Sequence, residues 1–224
     1  MKTLLLLTIA LTSLLLLASC GDSNGGPSGP GPGGDDEAFF PMAVGNTWNY
    51  DRSGTMQMDT ITCQITGKSV SEITGTETHA DSFEVYVEEF VSTDTLAGQP
   101  VPDSTCVTYM RLASDGVHGY PNLENTDSSF VVPFPLEVGN TWQYSEDPPM
   151  TGEILSMGGE VTVPAGTFSN VMQMRTTWIQ SGLTVVNTTD FAPDVGIVRN
   201  VYDQTASFLE YHITSELTSY SVAD

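Results

Sequence analysis

The chain has 224 residues, with 28 Asp and Glu against six Lys and Arg, for a net charge of −22; it carries three Cys and three His. So acidic a surface is repelled by nucleic-acid phosphates and by anionic lipid headgroups, which excludes nucleic acid as a partner and charge as a means of membrane attachment. The scarcity of His and Cys argues against transition-metal and cysteine-nucleophile chemistry.

Residues 1–19 read as a signal peptide. A Lys follows Met1, and Leu4 to Leu17 is almost wholly apolar, shorter than a comfortable membrane span. The string Leu17-Ala18-Ser19-Cys20-Gly21 resembles the lipobox of bacterial lipoproteins, which implies cleavage before Cys20 and lipid on its sulfur. Two or three acyl chains make a stable anchor, each buried CH₂ contributing about 0.8 kcal/mol. Gly21, rather than Asp, after the lipidated residue implies sorting to the outer membrane in a Gram-negative cell. Replacing Cys20 with Ser is expected to move the protein from the membrane to the soluble fraction on cell fractionation.

The stretch from residue 20 to 38 is rich in Gly and Pro and reads as a disordered tether. As a flexible coil it reaches roughly 23 Å. Its Gly21-Asp22-Ser23-Asn24-Gly25 matches the G-x-S-x-G hydrolase string but lacks the strand and helix that would give it meaning.

Residues 39–224 read as one β domain. Phe83, Val85 and Val87 alternate with Glu84, Tyr86 and Glu88, which puts these glutamates on a wet face. Cys106, Thr108, Met110 and Leu112 alternate with Val107, Tyr109 and Arg111. Met172, Met174 and Trp178 share a face, as do Leu209, Tyr211, Ile213 and Leu217. Period-two patterns broken by Gly-containing turns, without helical spacing, predict an all-β antiparallel sheet. Cys63 and Cys106 both fall in strand-like segments and are expected to pair as a disulfide in an oxidising compartment; the alternative is two buried thiols.

The segment Phe40-Pro41-Met42-Ala43-Val44-Gly45-Asn46-Thr47-Trp48-Asn49-Tyr50 returns as Phe134-Pro135-Leu136-Glu137-Val138-Gly139-Asn140-Thr141-Trp142-Gln143-Tyr144. Fainter echoes follow each copy, and an internal duplication with halves at about 40–133 and 134–224 is the simplest account. Val-Gly-Asn-Thr reads as a tight turn. Trp48, Tyr50, Trp142 and Tyr144 then project in pairs from their strands, either as core anchors or as an aromatic platform for a ligand. His118 borders a turn and is a further candidate binding residue; the alternative is a solvated loop position.

These repeats, with Val161-Thr162-Val163-Pro164-Ala165-Gly166-Thr167-Phe168 and Phe191-Ala192-Pro193-Asp194-Val195-Gly196-Ile197-Val198, resemble the TapB-like secreted proteins and lipoproteins of Gram-negative bacteria. The resemblance runs from Phe40 to about Tyr211. It implies a curved antiparallel sheet or partly open barrel like the lipoprotein-carrier fold, and it brings no reaction, cofactor or catalytic residue.

The chemistry-bearing motifs are thin. There is no H-E-x-x-H, EF-hand loop, P-loop or dinucleotide fingerprint, so neither a cofactor nor a metal is expected. The leading expectation is a lipid-anchored, non-enzymatic binding or assembly module of the cell envelope. Its partner would be an envelope protein, a glycan or an apolar ligand. A carrier or sensor of apolar molecules ranks second, because Met56, Met58, Met172 and Met174 are strand-borne and Met lines adaptable pockets. An envelope glycan hydrolase ranks third.

Overall fold

A computed structural model describes residues 36–124, 129–146 and 149–223. The signal peptide, Cys20 and most of the tether lie outside the described residues. Among the described residues a 3₁₀ turn, Glu37–Phe39, precedes thirteen strands. These are β1 (Thr47–Met58), β2 (Ile61–Thr78), β3 (Glu84–Leu96), β4 (Gln99–Pro100), β5 (Ser104–Ala113), β6 (Gly116–Tyr120), β7 (Ser129–Pro133), β8 (Thr141–Glu146), β9 (Pro149–Val163), β10 (Gly166–Gln180), β11 (Leu183–Ala192), β12 (Gly196–Ala206) and β13 (Leu209–Ser221).

All strands belong to one antiparallel sheet in the order β7-β6-β5-β3-β2-β1-β13-β12-β11-β10-β9-β8, with β4 paired to the end of β3. The sheet curls into a nearly closed barrel, and β7 and β8, consecutive in the chain, face each other across its one seam. This is the all-β antiparallel architecture expected from the period-two patterns. Each half is a meander: β1 to β7 runs outward from the junction with β13, and β8 to β13 runs back to it.

The repeated motif makes the same local structure twice. Asn46 N donates to Ala43 O at 3.1 Å and its Nδ2 to Pro41 O at 2.8 Å; Gly45 N and Ile73 O, and Ile73 N and Asn46 O, tie the turn to β2 at 2.8 and 2.9 Å. In the second copy Asn140 N donates to Glu137 O at 3.0 Å and Nδ2 to Pro135 O at 3.1 Å, while Gly139 and Asn140 bond Ile154 of β9 at 2.8 and 3.0 Å. Gly45 and Gly139 have φ of +92° and +87°, a region costly for any residue with a Cβ.

Two expectations need correction. Cys63 and Cys106 are free thiols. Cys106 stands level with Phe90 of β3, and Phe90 with Ser71 of β2. Cys63 is therefore eight positions further along β2 than the residue level with Cys106, roughly 26 Å at the rise of a strand. Cα atoms more than about 7 Å apart cannot be bridged without moving the backbone. Both residues are strand-borne, as the alternation indicated, but their registers place them far apart. Residues 36–38, counted with the tether, are instead built into the barrel end. The Asp36 carboxylate accepts a hydrogen bond from Leu136 N at 3.2 Å, Ala38 O accepts one from Asp194 N, and Phe39 is buried. Two consecutive aromatic residues, Phe39 and Phe40, give this short segment enough apolar area to dock.

Candidate functional site

The inward-facing residues form three levels along the barrel. At the end where the chain enters, Phe39, Phe40, Ile154, Met172 and Phe191 pack together, and beside them Trp48, Tyr50, Ile73, Val198 and Leu217 form a second cluster. At the far end Ile65, Val185, Tyr202, Tyr211 and Ile213 close the interior. Between these apolar ends runs a polar belt of Arg52, Ser69, Ser92, Asp94, Thr189 and Asn200, all buried.

Part of the belt is internally satisfied, as most buried polar groups are. Arg52 Nη2 meets Asp94 Oδ2 at 3.1 Å. Asn200 Nδ2 donates to Asn187 Oδ1 at 2.8 Å and to Thr189 Oγ1 at 2.9 Å. The Arg52–Asp94 pair spans β2 because Gly67 lies between them in register; a Cβ on Gly67 would overlap the Asp94 carboxylate and the Thr93 carbonyl. Ser69 Oγ, by contrast, is buried without a hydrogen-bond partner. Burial pushes the Asp94 carboxyl above its ordinary range, and Arg52 pulls it back only in part.

Beside the belt lies a cavity of about 220 Å³. Its apolar wall includes Phe39, Phe40, Met42, Met110, Met150 and Met174, and its polar side includes Arg52, Ser69, Ser71, Glu88, Thr176 and Asn200. An apolar enclosure with a few converging polar groups is the ordinary build of a small-molecule site.

The sequence-based candidates divide. Trp48, Tyr50 and Tyr144 line the cavity. Trp48 is also a core anchor, its Nε1 donating to Val195 O at 2.5 Å, and the Tyr50 hydroxyl donates to Ile197 O at 3.0 Å. Trp142 does not line it; its ring lies against Gly152 and 5.9 Å from the Tyr144 ring. His118 points elsewhere too, with Nε2 2.9 Å from Asp115 Oδ1. Of the four strand-borne methionines singled out, Met174 reaches the cavity, Met172 is fully buried in the core and Met58 is exposed. Among the described residues no three His, Cys, Asp or Glu side chains converge as metal ligands.

The residues that pattern-reading missed are Arg52, Ser69 and Glu88. Alternation alone reads Glu88 as part of a wet face; it faces the cavity instead, while Tyr86, of the same parity, packs on the Trp48 cluster. Ser71 Oγ donates to Glu88 Oε1. Burial raises the Glu88 carboxyl above its usual range, and the Ser71 hydrogen bond offsets this only partly. Arg52 shares the parity of Trp48 and Tyr50 on β1, which was the one available signal.

Glu88 makes stability depend on pH in a definite direction. The folded chain holds this proton more tightly than the unfolded chain, so the associated stability is complete below the ordinary carboxylate pKa and is lost as pH rises through the folded value. Its titratable neighbours, Tyr50 on β1 and Cys106 on β5, are themselves pushed above their ordinary values of 10.0 and 9.0, so neither titrates in that window. The Glu88→Gln variant is therefore expected to gain in urea midpoint over the wild type, by an amount that widens from pH 4 to pH 8. A constant gap would contradict a buried, titrating Glu88.

No family model matches the chain, the TapB-like resemblance included, and no curated protein matches it. Similar solved structures include two from Bacteroidetes. One is a candidate exported protein with a YmcC-like fold from Bacteroides fragilis, at TM-score 0.42 and 15% identity, covering 82% of this chain and 98% of that one. The other is a candidate lipoprotein from Parabacteroides distasonis, at TM-score 0.36 and 15% identity, with the same coverage.

Proposed function

We propose that the protein is a lipid-anchored, non-enzymatic binding protein of the cell envelope, and that its barrel interior takes a small apolar or amphipathic molecule. The observation that carries this is the cavity of about 220 Å³, walled by aromatic and Met side chains and edged by buried polar groups. A barrel interior packed for stability alone would be filled, because voids lose dispersion contacts and destabilise the core. The carrier reading therefore ranks above the assembly-module reading. The Gly and Pro tether would hold the barrel just off the membrane that Cys20 anchors it to.

The test is titration of the protein with 1-hexanol, followed by calorimetry and by tryptophan fluorescence. Saturable binding is expected, and Thr108→Phe, which projects a ring from β5 into the cavity, is expected to abolish it while leaving the far-ultraviolet circular dichroism unchanged. Absence of saturable binding would remove the carrier reading.

One observation favours a protein partner as a second reading. Met58, Ile61 and Phe208 are 39%, 66% and 54% exposed, and they stand on two neighbouring hairpin tips, joined by the Asp59 N to Phe208 O hydrogen bond. Such an apolar tip at the barrel end away from the tether suits a docking surface.

A further inference from the structure

Glu88 is the ionisable group of the cavity that the fold leaves without an opposite charge among the side chains lining it. Arg52 is the one basic residue in that lining, and Asp94 engages it at 3.1 Å. The neighbours of Glu88 in register are Ile73 on β2 and Thr108 on β5, and its hydrogen bond comes from Ser71. Among the described residues lining the cavity, no basic side chain pairs with this carboxylate. Glu88 is only half-buried by area although it lies deep in the barrel, because its open surface is the surface facing the cavity.

Two further features bear on what would enter. The cavity that Glu88 faces is lined in part by the rings of Trp48, Tyr50, Phe90 and Tyr144, and aromatic faces attract cations through their negative quadrupole. The chain also bears a net charge of −22, whose summed field favours cations and opposes anions entering a low-dielectric interior. A carboxylate ligand would meet both that field and Glu88.

Resting on the reading that the barrel interior is a ligand site, we propose that its ligand is an amphipathic amine, with the ammonium paired to Glu88 and the hydrocarbon body against the Met and Phe wall. The amine enters already protonated, and any proton that Glu88 carries is released to solvent on pairing. The arrangement is the usual one for a buried charge: desolvation of the carboxylate is tolerable once a partner of opposite sign is supplied.

The experiment compares three probes of equal length, hexylamine, 1-hexanol and hexanoate, by calorimetry at pH 7.5. It uses the full chain in phosphatidylcholine vesicles, with protein-free vesicles as reference. Hexylamine is expected to bind at least about tenfold more tightly than 1-hexanol, with hexanoate weakest. Glu88→Gln is expected to erase the preference for hexylamine over 1-hexanol. An amine preference that survives Glu88→Gln would come from the acidic surface and would overturn the assignment, as would an amine binding no tighter than the alcohol. In that last case alcohol binding alone would leave the cavity reading intact, whereas failure of all three probes would remove both.

Discussion

Asp94→Ala is expected to lower the stability of the folded barrel by about 3–5 kcal/mol, a fall in melting temperature of roughly 6–20 °C for a domain of this size. The reason is what remains rather than what is lost. The side chains of Arg52 and Asp94 are only 1% and 4% exposed. Removing the carboxylate leaves a deeply buried guanidinium without the charge that balances it. The pair itself is not a strong net stabiliser, because burial raises the Asp94 carboxyl more than Arg52 lowers it, the mark of a desolvation cost exceeding the Coulomb gain. The double replacement Arg52→Met with Asp94→Leu is therefore expected to recover most or all of the lost stability in urea denaturation. Should the single substitution cost less than about 1 kcal/mol, the range of an exposed pair, the belt would have to be open to water.

The same pair shows where sequence reading stops. Alternation along β5 and β13 was legible, because Met110 and Leu112 or Tyr211 and Ile213 are apolar at every second position and face inward as expected. The repeated turn was legible because Gly and Asn at fixed offsets dictate local hydrogen bonds. Glu88 and Arg52 were not. A charge in a period-two pattern reads as a solvated face, and only closure of the sheet into a barrel gives that face an inside. Gly67 reads as a weak point in a strand; that it clears the way from Arg52 to Asp94 depends on the registers of β1, β2 and β3 together. The Cys63–Cys106 expectation failed for the same reason. Strand membership is local, whereas level along the barrel is set by pairings between residues far apart in the chain.

The two tryptophans of the repeat offer a second large effect, and a contrast within one molecule. Trp48→Ala is expected to cost about 3–5 kcal/mol. Trp48 is 7% exposed and packs among Val163, Val171, Val195 and Leu217, at the junction where β1 pairs with β13. Its indole nitrogen also satisfies the Val195 carbonyl at 2.5 Å, so truncation leaves an acceptor unmet, at a further cost of about 1 kcal/mol. Trp142 occupies the matching position on β8, but β8 is an edge of the sheet at the seam. There the ring is half-buried, its nitrogen makes no hydrogen bond, and Gly152 provides the flat space it lies on. Trp142→Ala is accordingly expected to cost about half as much or less, because a site at an open edge can relax. Equal losses in parallel urea titrations of the two variants would mean that the seam between β7 and β8 is packed as firmly as the β1–β13 junction. The barrel would then lack the looser side through which a ligand most easily reaches the interior.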